Sequence, residues 1–154
     1  MRKEKVYINS CDWDIIIYFD YDCICRKEVL DELGEFGISK KRFDRAKNEL
    51  SKCLFNTGMT YSSFIDKSSI VVIGRASSSK EFAKTYIHEI GHCATHIIQY
   101  LGISPYGEDI RYIEQEIVEN TWNLAEFYIL NNNRRKDNEK TRCEQCFEKR
   151  NAIK

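Results

Sequence analysis

Apolar positions along the chain change period several times, and each change marks an element. Lys5-Val6-Tyr7-Ile8-Asn9 reads as a short strand, and Ile15-Ile16-Ile17-Tyr18-Phe19, an unbroken β-branched and aromatic run, as a second. From Arg26 to Phe36 the spacing turns helical, with Val29, Leu30, Leu33 and Phe36 on one stripe and Gly34 and Gly37 weakening and stopping its end. Ser39 is placed to cap a second helix over Lys40 to Leu54, where Phe43, Ala46, Leu50, Cys53 and Leu54 recur at threes and fours. Asn56-Thr57-Gly58 reads as a turn. Met59-Thr60-Tyr61-Ser62 and Ser69-Ile70-Val71-Val72-Ile73 follow as two more strands, joined around residues 64–67.

The next helix carries Ile87, Ile90, Ala94, Ile97, Ile98 and Leu101 on one side and ends at Gly102, a favoured residue just past a helix C-terminus. Pro105-Tyr106-Gly107 breaks the chain, and a last helical pattern opens at Glu108 with the stripe Ile110, Ile113, Ile117, Thr121, Leu124 and Tyr128. From Asn131 to Lys140 there is no apolar residue. This organisation predicts one α+β domain over residues 1–130 and a polar, charged tail over 131–154. The domain is expected to hold a small mixed or antiparallel sheet of three to four strands on three main helices, with the helix around residue 90 at the centre. No internal repeat is present.

Composition narrows the setting. At 154 residues the chain can build one real core. Its formal net charge of +0 provides no global field for nucleic acid or an acidic membrane, so neither is an expected partner. The acidic residues interspersed in Lys40 to Leu54 also argue against a nucleic-acid patch there. No apolar run follows Met1-Arg2-Lys3-Glu4-Lys5 as a signal peptide would require, and none reaches the length of a membrane span. The seven cysteines are odd in number and lack a secretion signal, which points to a reduced, cytoplasmic setting. Cys53 and Cys93 read as packing residues. Asp20, Asp22, Cys23 and Cys25 read as a strand-end turn, and Cys143 and Cys146 as a Cys-x-x-Cys without a second pair.

The chemistry is concentrated opposite the apolar stripe of the central helix. At about 100° per residue, His88, Glu89, His92 and His96 share one side, with Thr85. His88-Glu89-Ile90-Gly91-His92 places two imidazoles one turn apart, where both can reach one Zn²⁺, with Glu89 beside them as general base. His96 lies roughly 12 Å along the helix from His88, too far to share that ion, and reads as a cleft-lining residue. A catalytic zinc site takes a third protein ligand and leaves a fourth position to water. Glu108, at the start of the following helix, is the first candidate, with Asp109 and Glu116 as rivals.

With that constellation in view, the chain resembles the gluzincin class of zinc metallopeptidases, and within it the small bacterial and phage peptidases of the ImmA/IrrE kind. In those, a strand and a short loop lead into the motif helix, as Ser69 to Gly74 and Ser77-Ser78-Ser79 do here. Their third ligand sits in a Glu-x-x-small-(Tyr/Asn) pattern. Glu108 to Tyr112 matches its Glu and Tyr but has Arg111 at the small position, and Glu116 to Asn120 matches about as well. The resemblance covers roughly residues 58 to 130. It implies peptide-bond hydrolysis of a protein or peptide substrate held along a sheet edge. In that chemistry Glu89 is the expected base, and Tyr112 and His96 are the candidates for donor to the oxyanion. The competing reading is a non-catalytic zinc protein that acts through partner binding.

Overall fold

The computed structural model describes residues 1–131. The expected tail, with Cys143 and Cys146, therefore lies almost wholly outside the described residues. In chain order the elements are β1 (Arg2–Ile8), β2 (Trp13–Tyr21), a single 3-10 turn at Cys23–Cys25, α1 (Arg26–Glu35), α2 (Lys40–Lys52), β3 (Gly58–Ser63), β4 (Ser68–Gly74), α3 (Ser79–Leu101) and α4 (Asp109–Asn131). The fold is α+β, with a four-stranded mixed sheet in the order β1-β2-β4-β3. β2 and β4 run parallel at its centre, and β1 and β3 flank them antiparallel.

The sheet is covered on both faces, by four helices where three were expected. Trp13, Ile15, Ile17 and Phe19 of β2, with Val71 and Ile73 of β4, pack under α3 and α4. Tyr18, Ile70 and Val72 point the other way and pack under α1 and α2. This is why both central strands read as continuous apolar runs: each buries both of its faces. A layer of stacked rings seats the first half of α3 and the end of α4, with Phe19–Tyr128 centroids 5.8 Å apart and Phe82–Tyr128 5.5 Å apart.

Several local readings shift. The stripe on α3 is narrower than expected, since Ile87 is 66% exposed and Leu101 39%. α2 stops at Lys52, and Cys53 closes it in the left-handed conformation (φ 54°), half-buried rather than in the core. Gly58 belongs to β3 and not to a turn. The end of β2 is a strand-end turn as expected: Asp22 caps the 3-10 turn by accepting from the Ile24 and Cys25 amides, and its other oxygen pairs with Arg75 at 2.8 Å. Cys93 is fully buried, and burial pushes its thiol up to about 12, which suits packing.

The start of α3 is fixed by Ser78, whose hydroxyl accepts from the Glu81 amide at 3.2 Å. Ser78→Ala is expected to cost about 1 kcal/mol of unfolding free energy in a urea titration, the usual cost of a lost cap. Metal content should stay unchanged, because the histidines lie more than two turns further along the helix.

Candidate metal centre and cleft

α3 presents the two motif histidines to solvent and turns the glutamate between them onto the sheet. His88 and His92 are both exposed, and their Nε2 atoms face each other at 3.1 Å. Glu89, the next residue round the helix, is only 4% exposed and turns toward β3. Thr60 Oγ1 donates to Glu89 Oε2 at 2.7 Å. Burial pushes the Glu89 carboxyl above its ordinary range, and the Thr60 hydrogen bond and the nearby His92 and His88 pull it partway back.

β3 is shaped to this side of α3. Gly58, Thr60 and Ser62 share one face of the strand by its two-residue period. Gly58 lies so close that a Cβ there would sit 2.5 Å from Glu89 Cγ. Ser62 Oγ is 2.9 Å from His96 Nδ1 and 2.7 Å from Ser69 Oγ, which in turn accepts from the Trp13 indole N–H at 2.9 Å. His96 is therefore anchored through two hydroxyls to a fully buried tryptophan. Burial lowers its pKa, with His92 and Arg42 adding to the effect, which favours the neutral ring.

A cleft of about 510 Å³ opens along these groups. His88, Glu89, His92 and His96 line it from α3, Gly58 to Tyr61 from β3, and Arg42, Arg45 and Glu49 from α2. Its size suits a ligand rather than a water or an ion alone.

The carboxylates proposed from sequence do not join the histidines. α3 and α4 pack antiparallel, in a register marked by Ser79 Oγ donating to the Ile129 carbonyl, by Tyr86–Thr121 (2.7 Å between hydroxyls) and by Gly91 beside Glu114. Glu108 sits six residues before Glu114, roughly 9 Å away along α4 and past the histidine pair. Its side chain is exposed, and its carbonyl accepts from the Arg111 and Tyr112 amides in the first turn of the helix. Asp109 is exposed in the same turn. Glu116 is committed elsewhere: its carboxylate accepts from the Asn9 amide at 2.7 Å and caps the β1–β2 turn. Tyr112 is 64% exposed and does not line the cleft.

Among the described residues no three His, Cys, Asp or Glu side chains converge as a complete metal site. One α4 carboxylate, Glu114, reaches the motif helix: a Cβ on Gly91 would lie 3.7 Å from its Oε1. Its other oxygen pairs with Arg111 at 2.5 Å. Sequence reasoning missed Glu114, Gly58, Thr60 and Ser62. A signal for the last three was present, because a glycine at the start of a strand marks a close backbone approach and small polar residues alternate after it.

No helix among the described residues is long and apolar enough to cross a membrane. No family model, curated protein or solved structure matches the chain.

Proposed function

We propose that the chain is a zinc-dependent peptidase with its reacting groups on α3 and β3. The observation that carries this reading is the facing His88 and His92 Nε2 pair at 3.1 Å, with buried Glu89 beside it in the same cleft. Two nitrogens on one tetrahedral zinc, with Zn–N near 2.0–2.1 Å, lie about 3.3 Å apart, so the pair fits that ion. Glu114 is the third ligand in this reading, in place of Glu108, because its Oε1 lies beside Gly91, the residue before His92. Two imidazoles and a carboxylate are a common donor set for catalytic zinc.

Held by these residues, zinc would supply a Lewis acid for a peptide carbonyl and a water of lowered pKa. Glu89 takes the proton of the attacking water and delivers it to the leaving amine nitrogen. Thr60 fixes Oε2 of that carboxylate, which leaves Oε1 to accept. An indole N–H only donates, so the hydroxyl chain can run from Trp13 through Ser69 and Ser62 to His96 Nδ1. In that direction His96 keeps its proton on Nε2 and is the donor to the oxyanion in this reading, in preference to Tyr112, which does not line the cleft. The open edge of β3 holds the substrate backbone by strand addition.

Elemental analysis tests the metal first. The native chain is expected to carry about one zinc, lost in His92→Ala, since removing one of three ligands strips most of the binding free energy. Glu114→Gln should weaken zinc retention against a chelator at least tenfold, while Glu108→Gln should match the native chain. Zinc retained in His92→Ala, or a native chain that takes up none, would overturn the reading.

A further inference from the structure

The α2 wall of the cleft has a charge pattern that zinc chemistry does not require. Arg42, Arg45 and Glu49 stand at i, i+3 and i+7, on one face of α2, and all three line the cleft opposite the histidines. Glu49 is paired with Lys52 at 2.7 Å. Among the described residues no ion pair involves Arg42 or Arg45. Two guanidinium groups thus face the cleft, and Glu49, the carboxylate that lines it beside them, is paired with Lys52 instead.

The floor between the two walls is β3, an edge strand whose six residues are all half-exposed. A segment added along that edge continues the pleat, so its side chains alternate between the two faces of the sheet. Thr60 and Ser62 point to the α3 face, toward Glu89 and His96. Met59 and Tyr61 point to the other face, where α1 and α2 pack. Alternate side chains of the added segment would therefore project toward Arg42 and Arg45.

We propose that Arg42 and Arg45 make this cleft selective for an extended peptide that carries carboxylates, with every second side chain beside β3 meeting the arginines of α2. A guanidinium presents a planar fork that matches a carboxylate in a two-pronged hydrogen bond, which suits selection better than a lysine would. The inference rests on the reading of the cleft as a peptide site and adds the class of peptide. Internal Asp or Glu side chains and a peptide C-terminus offer the same carboxylate, and the test separates them.

The experiment is fluorescence anisotropy with the full chain bearing Glu89→Gln, so that the probes are not consumed. The probes are labelled ten-residue peptides with Glu at alternate positions, the same peptides with Gln, and each with a free or an amidated C-terminus. At low ionic strength the Glu peptide should bind at least tenfold more tightly than its Gln counterpart, and added salt should narrow the gap. If the preference follows the free C-terminus instead, the arginines read the terminal carboxylate, and the charge selectivity holds. Arg42→Glu with Arg45→Glu should shift the preference to a Lys-bearing peptide, and Arg42→Gln with Arg45→Gln should erase it. Circular dichroism checks that both double variants fold.

Equal binding of Glu and Gln peptides would overturn the proposal, as would a single-stranded oligonucleotide displacing the Glu peptide more effectively than unlabelled peptide does. Cleavage assays on the Glu89 chain keep the two readings apart. Charge-dependent binding without cleavage would count against the peptidase and leave the selectivity standing. Cleavage of Glu and Gln peptides at the same efficiency would do the reverse.

Discussion

Glu89→Gln should lower peptide hydrolysis by about a thousandfold, within the range that positioned general bases contribute. Gln has the same shape, and its amide oxygen can still accept from Thr60 Oγ1, which holds Glu89 Oε2 at 2.7 Å. What it lacks is a site basic enough to take a proton from water. Burial already disfavours a charge at this position, so a neutral amide should leave thermal unfolding at or slightly above the native midpoint. Zinc content should match the native chain, because the histidine pair is untouched. Single-turnover assays with equal loadings of zinc separate a lost base from a lost metal. A Glu89→Gln chain that hydrolyses peptides at the native rate would sink the mechanism, whatever its metal content.

Much of the fold was legible in the sequence because it depends on short-range pattern. The stripe from Ile110 to Tyr128 identifies the buried face of α4, and the unbroken runs at Ile15 to Phe19 and Ile70 to Ile73 identify the central strands. Those same runs are unbroken because both sheet faces are covered, a consequence the expected three-helix arrangement did not draw, and α1 with α2 provide the second layer. The motif pair was legible for the same reason, since a spacing of four sets His88 and His92 on one side of a helix whatever the tertiary structure.

The remainder depends on how elements meet. Which α4 carboxylates reach the motif helix depends on the register of α4 against α3, fixed by contacts such as Tyr86–Thr121 that no local pattern encodes. Helix periodicity ranked Glu108, Asp109 and Glu116 by their place on α4 alone, and so could not see that Glu116 is taken by the β1–β2 turn. The exposure of Ile87 has a similar origin: a wheel orders positions on one helix but not the width of what covers it. Gly58 was read through the commonest use of glycine, a turn, whereas its neighbour across space is Glu89.

Gly58→Ala should therefore impair catalysis far more than folding. The added methyl would lie 2.5 Å from Glu89 Cγ and 2.7 Å from both Cδ and Oε1. Neither side can yield easily. The β3 backbone is held in register with β4 from Gly58 to Ser63, and Glu89 is buried and tied to Thr60. The side chain with rotatable bonds moves first, so the carboxylate swings off its position. A displacement near 1 Å at a reacting group costs about a hundredfold in rate, and kcat is expected to fall by that order with little change in KM. Gly58 is not at positive φ, so alanine brings no backbone strain, and the stiffer unfolded chain offsets part of the local crowding. The unfolding midpoint should thus move by only a few degrees. The decisive comparison is the double variant. If Gly58 acts by placing Glu89, then Gly58→Ala should add almost nothing to the loss already caused by Glu89→Gln. An equal hundredfold drop in both backgrounds would mean that the methyl damages the cleft by another route, and that Gly58 does not position the base.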